Sequence, residues 1–569
     1  MKKINLNTQG RNGKIEFEVD IEKNKIKDLK IINHMETPGI FNQVFSKLKS
    51  DVISNQSFDV DTISGATIMT KSILDTAKEA ITDNGIHLNG KKSENTQVQK
   101  KKEIVTDTLV IGGGGAGLVA ASKALSLGSK VILLEKNGYL GGATILNGSN
   151  VVGTGSKTSK KIFESDYGDS PGLLAKDVSK ESRQTNYTDL TKIMVENIGN
   201  AIDFVSDFAN LDYRKAQTQT PEHSVERQIE LPSSSSYEFI DKMAKAFFKK
   251  GGEILLDVRV ENMTIEKNMV KGVIAESKYV SYYIKAKSVI LASGGYGAKV
   301  LKEGKGEGID YYGPMTSTGD SYQFTHSLSL KAHDQNWLKV YPHGVEVEPG
   351  IAKLTTYASK MATDMGAIYV NKKGQRIVNE SDVYTKLRDA ILEQSERIAY
   401  LIMDERTWKE FYKLLVLHDF SKNEIKEYLK NDGSKIPIFV KGSLEKIANK
   451  ANIDEQGLIK TLEKYEEYAV NEEDPEFGRA ADYLHSFEGS IFYAVEQRDR
   501  FATTLGGYIV DEKMNLLNSA NRPIKNLFGA GEIIGGANGH DSMPSMMNSW
   551  SFSSGFAAGR AAIIYEDKM

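Results

Sequence analysis

The chain of 569 residues contains no cysteine. That excludes disulfides, thiolate metal sites and cysteine catalysis, and removes the usual ligands of iron–sulfur clusters and the C-x-x-C-H haem attachment. An excess of one charge is also lacking. Lys and Arg total 73 against 76 Asp and Glu, a net charge of −3, which argues against nucleic acid as the main partner. No apolar run approaches the length of a membrane span, so an integral membrane protein is not expected. The start, Met1 to Asn7, is basic but has no apolar stretch behind it, so no signal peptide is visible. As it reads, the chain is expected in the cytoplasm, or outside it if an export signal has been removed. What is present is ordinary for a globular protein: 40% hydrophobic and 26% charged residues. The length calls for about two to four domains.

The most informative stretch is Thr108 to Ala121. Thr108 to Ile111 reads as a buried strand. Gly112, Gly114 and Gly117 follow at G-x-G-x-x-G spacing, then a helix packing Leu118, Ala121 and Leu125, with Gly128 closing it. Lys130 to Leu134 is a second strand, ending in Glu135. In such a βαβ unit Gly112 permits the tight turn, Gly114 lets a pyrophosphate approach the backbone, and Gly117 lets helix and strand pack closely. The helix N-terminus, including Ala116, offers free N–H groups to phosphates, and Glu135 can accept from an adenosine ribose. A structural glycine turn alone would leave Glu135 without a reason. The run after it, Lys136 to Thr144, carries a second glycine pair, the pattern of FAD rather than NAD enzymes.

Residues 1–88 read as a separate small unit. Ile15–Ile21 alternates as a half-buried strand, Ile26–Ile32 reads as another, and Phe41–Val52 and Met69–Ile81 read as helices. Between them stands Ser64-Gly65-Ala66-Thr67, with Asp61 just before it. This tetrad resembles the flavinylation motif of the FMN-binding domain family, in which a flavin transferase links FMN through a phosphoester to the threonine. The resemblance implies covalent FMN on Thr67. A hydroxyl at a helix start suits an attached phosphate; the plain alternative is a threonine helix cap. Residues 89–104 read as a polar linker, without apolar period from Lys91 to Lys102.

Further on, Asn147-Gly148-Ser149-Asn150 is expected under a flavin ring, residues 160–250 read as mostly helical, and the Ser233–Ser236 run reads as plain loop. Ile254–Val260, Met269–Ala275 and Val280–Ala286 read as strands. Val289 to Ala292 is a buried strand ending in Ser293, Gly294 and Gly295, followed by Thr318-Gly319-Asp320; Asn526 to Ala530 enters a second glycine turn at Gly531 and Glu532.

Together these stretches resemble the flavoprotein subunits of the fumarate reductase and succinate dehydrogenase family, above all its soluble flavocytochrome-type branch of fumarate, urocanate and cinnamate reductases. The resemblance covers essentially the whole chain. It implies an α/β (α+β overall) molecule: a Rossmann-like FAD-binding domain at 105–335 and 504–569, an inserted capping domain at 336–503, and the FMN-binding domain at 1–88. It implies non-covalent FAD held by the glycine turn and Glu135, by Lys136, Gly142, Ala143 and Thr144, by Gly148, Ser149, Asn150 and Val260, by the Ser293–Gly295 and Thr318–Asp320 turns, by Gly531 and Glu532, and by Ser542, Met547 and Asn548.

The substrate residues depart from the family. Its clamp arginine becomes Ser542, its histidine pair Ala502 and Thr503, its other histidine Tyr341, and its proton-donor arginine Tyr384. On an ungapped alignment its proton relay becomes Lys360 and Thr363. Losing an arginine clamp and two charge-assisted hydrogen bonds removes dicarboxylate recognition, unless Arg376, Arg388, Lys360 or His343 restores it from a shifted position. The expected activity is a flavin-dependent ene-reductase acting on an alkene conjugated to an electron-withdrawing group, larger and less charged than fumarate. Electrons enter at FMN from an external donor — a reductase, reduced free flavin or a quinol-linked protein. Tyr384 is the expected acid, with Lys360 lowering its pKa, Tyr341 contacting the substrate, and Arg388 and Tyr341 next in line as acids. Two other readings stay open: a ketosteroid-type ketone dehydrogenase, and a flavin electron carrier without substrate chemistry.

Overall fold

The computed structural model describes residues 2–88, 90, 100–164, 168–217, 219–267, 269–417 and 420–566. The stretch from Lys91 to Gln99, most of the expected linker, lies outside the described residues.

The N-terminal unit is an antiparallel three-stranded sheet, β1 (Lys2–Gln9), β2 (Lys14–Glu22) and β3 (Lys25–His34), with two helices, α1 (Pro38–Asn55) and α2 (Thr67–Asp83). Ile15, Phe17, Val19 and Ile21 alternate inward and meet Phe41, Val44, Leu48, Ile73 and Ala77 in one dry core. That core also takes in Tyr139, from the next domain. The strand β1 is not anticipated by the sequence, because at this edge only every second side chain is even half-buried.

The second unit is built on an eight-stranded sheet. β4 (Lys100–Ile111) lies at its centre, parallel to β5 (Val131–Leu134) on one side and to Val280–Leu291 on the other. The strand Pro523–Gly529 returns from the far end of the sequence and pairs parallel to Val280–Leu291, so both halves of the domain share one sheet. Helix α3 (Gly115–Ser126) and the C-terminal helix Met546–Glu566 pack on each other across it. Three expectations are corrected here. β4 begins at Lys100, so Lys100–Lys102 belongs to a strand, paired with Val280–Tyr282, and not to a linker. The run Ile254–Val260 is two strands, Glu253–Leu255 and Arg259–Glu266, broken where Asp257 takes a positive φ of 57°. The Ser233–Ser236 run is more than loop: Ser235 caps the helix Ser236–Lys249 by accepting from the Tyr237 N–H.

Between the two halves stands a third body. Its four-stranded antiparallel sheet runs Ile368–Val370, Ile398–Asp404, Phe492–Arg498 and Phe439–Gly442, with separate apolar clusters on its two faces. A five-stranded sheet joins this body to the FAD-type domain: Leu338–Tyr341, Arg500–Thr504, Asp310–Tyr311, Ile351–Leu354 and Gly344–Glu348. Among the described residues no helix is long and apolar enough to cross a membrane, and no group of side chains is arranged to hold a metal ion.

Candidate active site

A single cavity of about 290 Å³ runs from the β4–α3 turn to the joining sheet. At its first end the turn residues Gly112, Gly114 and Ala116 line it. Gly112 sits at φ 111°, and a Cβ on Gly117 would stand 1.9 Å from the Gly112 carbonyl oxygen. Gly117 therefore does not line the cavity; it sets the distance between helix and strand. The Gly115 N–H, first of α3, donates to Thr144 Oγ1 at 3.3 Å, and no N-cap side chain takes the N–H groups that follow it, which are left for a ligand. Glu135 is buried, and its Oε2 and Oε1 accept from the N–H groups of Gly113 and Asn137, both at 2.8 Å. It braces the turn from below as well as facing the cavity. Lys136, Val260 and Asp320 complete this end. Lys136 Nζ stands 3.0 Å from Asp320, and Arg259 stands 3.4 Å from it. Thr318 donates to Asp320 at 2.7 Å from outside the lining, and Gly319 makes the turn behind it.

The middle of the cavity is lined by Gly142, Ala143, Thr144, Gly148, Asn150, Ser293, Gly294, Glu532, Met547 and Asn548. Asn548, at the start of the C-terminal helix, donates to Asn147 Oδ1 and to the Asn150 carbonyl, both at 3.0 Å, and so fixes the loop to the helix. Glu532 accepts from the Thr504 N–H and hydroxyl, each at 2.9 Å, and burial pushes its pKa up. The Ser293 hydroxyl is buried and has no partner among the described residues. Four expected contacts stand behind the wall rather than in it. Ser149 accepts from the Leu231 N–H at 3.1 Å, and Gly295 presses against Glu532. Gly531 is tied to Ser554 and Trp550. Ser542 is buried with its hydroxyl on the Met543 carbonyl at 3.2 Å. Uncapped helix N–H groups, a glycine cradle and an orphaned hydroxyl along one elongated cavity fit a bound FAD.

The far end is phenolic. Tyr312, Tyr341, Tyr357 and Tyr384 all line it, with Leu354, Thr356 and Arg500. Tyr384 is the first residue of the helix Tyr384–Leu392; its N–H donates to Glu222 Oε1 at 2.8 Å, and His343 meets its ring edge-on at 5.0 Å. Burial, then the nearby Glu222, raises the Tyr384 pKa well above the ordinary phenol value. The expected help from Lys360 is absent, because its ammonium is paired with Asp364. Thr363 also stands off the cavity, donating to the Lys360 carbonyl at 2.9 Å. Tyr357, one turn before Lys360, is the residue this helix presents instead. Burial pushes the Tyr341 pKa up to about 12, against the pull of Arg500.

The cations weighed as a restored clamp are spoken for. Arg376 is held by Glu380 at 2.7 Å and Asp474 at 3.0 Å. Arg388 does not line the cavity; Asp389 holds it at 2.7 Å and Asp541 binds it too. His343 is buried and neutral, its pKa pushed down to about 3 by burial. Sequence reasoning missed Arg500. It is 3% exposed, donates from Nε to the His343 carbonyl at 2.8 Å and from Nη2 to Thr356 at 3.2 Å. Its guanidinium lies over the rings of Tyr312 at 4.8 Å and Tyr341 at 5.0 Å. No signal in the sequence marked it: only the pairing of the return strand sets Arg500 directly opposite Tyr341.

Thr67 opens α2 and is exposed to solvent. No side chain caps this helix, so its first N–H groups face whatever Thr67 carries. The loop before it is seated on the FAD-type domain. The Gly138 N–H donates to the Ser64 carbonyl at 3.1 Å, and Gln43 exchanges two hydrogen bonds with the Leu140 backbone, at 3.0 and 3.1 Å.

Comparison with known proteins agrees with this geometry. The model of an FAD binding domain matches residues 107–546, and that of an FMN-binding domain matches residues 10–82. A probable fumarate reductase of Shewanella frigidimarina is 29% identical over 452 residues, 77% of this chain and 71% of that protein. A urocanate reductase of Eggerthella lenta is 27% identical over 572 residues, 97% of this chain and 90% of that protein. The open form of a flavocytochrome c3 fumarate reductase superposes with a TM-score of 0.66 at 26% identity, covering 81% of this chain and 78% of that one.

Proposed function

The chain belongs to the FAD-binding oxidoreductases of fumarate-reductase type with an FMN-binding domain in front, and on that premise we propose that it reduces the C=C bond of an alkene conjugated to an electron-withdrawing group. One observation carries this reading: a single cavity joins the dinucleotide turn to a cluster of four phenols and one arginine. The relatives named as fumarate and urocanate reductases support a reductase of this kind. When bound, the flavins supply the reducing equivalents, FMN as electron inlet and FAD as hydride donor to the β-carbon.

The chain's own residues do the rest. Tyr384 holds a proton at its Oη beside the substrate's α-carbon and delivers it there; its raised pKa keeps it protonated across the physiological range. Tyr341 and Tyr357 flank the alkene and orient it, and closure between the joining sheet and the FAD-type domain keeps water away. Thr67 carries the FMN as a phosphoester made by a flavin transferase, with the N-terminus of α2 stabilising the phosphate. An external donor supplies the electrons.

The test is a screen of electron-poor alkenes against anaerobic, dithionite-reduced holoenzyme, following substrate loss and flavin reoxidation. At least one alkene is expected to reoxidise the flavin, and fumarate to turn over more slowly than the best of them. No reoxidation by any alkene would make the protein an electron carrier and end this reading. Covalent FMN is tested separately. Mass spectrometry of chain co-expressed with the transferase should show FMN on the wild type and none on Thr67→Ala; an unmodified wild type rejects the assignment.

A further inference from the structure

Arg500 is a buried cation without a carboxylate. No Asp or Glu among the described residues comes within 4.0 Å of it, and its acceptors, the His343 carbonyl and the Thr356 hydroxyl, are both neutral. Removing a charge from water is costly unless an opposite charge compensates it. The faces of Tyr312 and Tyr341 offset part of that cost. They also fix the guanidinium plane, and Nη1 is left without an acceptor among the described residues while the side chain borders the cavity.

The other cations do not share this position. Of the three that line the cavity, Lys136 and Arg259 pair with Asp320 at the dinucleotide end, which leaves Arg500 alone at the phenolic end. Just outside, Lys339 and Arg388 are both bound by Asp541. The site thus offers one positive charge, and four phenols with Leu354 dominate the wall around it, Tyr312, Tyr341, Tyr357 and Tyr384, with Thr356 and Thr503 as neutral polar neighbours.

We propose that Arg500 is the specificity residue of the substrate end, binding the single carboxylate of an alkene whose other substituent is an aromatic ring seated among the tyrosines. This rests on the ene-reductase reading above. The same contact serves the reaction. As hydride arrives at the β-carbon, negative charge builds on the conjugated carboxylate, and a fixed guanidinium meets it there without reorganising. A second carboxylate finds no other unpaired cation among the described lining residues, and Glu222, bonded to the Tyr384 N–H behind the wall, adds like charge there.

The experiment compares 3-phenylpropenoate with its amide as substrates, and 3-phenylpropanoate with its amide as non-reacting ligands, on wild-type holoenzyme, Arg500→Gln and Arg500→Lys. Wild type should bind 3-phenylpropanoate about 10- to 100-fold more tightly than the amide, the range of a charge-assisted hydrogen bond. Binding is read from perturbation of the FAD absorbance. Arg500→Gln should lose that preference and lower kcat/KM for the acid by a similar factor, with the amide little changed, and Arg500→Lys should recover part of it. Equal affinity of wild type for acid and amide overturns the proposal without any variant. So does an equal loss for both ligands in Arg500→Gln with loss of FAD, which makes the residue a packing element. A shifted FAD midpoint potential with an unchanged acid-to-amide ratio also overturns it, because the guanidinium then serves the flavin. If other alkenes are reduced but neither phenyl compound is, the substrate class is wrong. If no alkene is reduced yet 3-phenylpropanoate binding depends on Arg500, the ene-reductase reading fails and the anion site stands.

Discussion

At the scale of single residues, Tyr384 is the position where chemistry can be separated from packing. Tyr384→Phe keeps the ring against His343 and removes only the hydroxyl. Turnover of the best alkene should fall about 10²- to 10⁴-fold, with FAD content and ligand binding unchanged; near-normal turnover would pass the role to Tyr357. Gly112, Gly114, Gly117 and Glu135 were legible because each answers a local requirement of one turn, readable without knowing what lies across the cavity. Tyr384 and Tyr341 were found through resemblance. Arg500 was not legible, since Arg498-Asp499-Arg500 reads as a solvated charged run. Only the pairing of Arg500–Thr504 with Leu338–Tyr341, 157 residues apart at the His343 contact, turns that run inward. The relay positions failed for a similar reason. Counting along an ungapped alignment ignores how far along the helix Thr356–Asp364 the cavity reaches: it meets Tyr357, whereas Lys360, one turn further on, turns to Asp364.

At the scale of elements, the apolar alternation of β2 and the buried runs of β4 and β5 were readable, and their ends were not. The lysine-rich first half of β4 follows Val280–Tyr282 by backbone pairing alone, and composition carries no trace of that. The strand Asp310–Tyr311 makes a testable contribution to stability. Asp310 is buried, and burial followed by the nearby Glu346 pushes its carboxyl up to about 7. The unfolded chain releases this proton near pH 4, so between about 4 and about 7 the native state binds more protons than the unfolded one. Its contribution therefore declines as pH rises through that window and is flat above it. Asp310→Asn mimics the protonated form. Its melting temperature should match the wild type near pH 4 and exceed it at pH 8; a lower value at pH 8 would show that the ionised carboxylate has a stabilising partner.

At the scale of the whole molecule, the chain crosses from one unit to another and back, and the inserted body was expected only through the family resemblance. Its apolar clusters look like those of any α+β domain when read in sequence. The contact between the first unit and the FAD-type domain was not foreseen at all. Tyr139 lies in the core of the N-terminal unit, four residues beyond Glu135, and Lys47 pairs with Asp257 across the same seam. Ligand binding at one side of such a seam must be felt at the other, and the coupling is reciprocal. Removal of FAD should therefore speed amide hydrogen exchange in α1 and in the Ile63–Thr67 loop, although neither touches the cavity; unchanged exchange there would uncouple the two units. The seam also bears on how the protein is put together. The loop that carries Thr67 is pinned on one side by Asn137, Gly138 and Tyr139. A flavin transferase acting at Thr67, as proposed, would have two ways in: from the open side of the seated loop, or before the seam closes. If Thr67 carries the FMN as proposed, the order in which the two flavins are installed depends on this contact, and chains matured in different orders should differ in yield of the doubly loaded protein while sharing the same final structure.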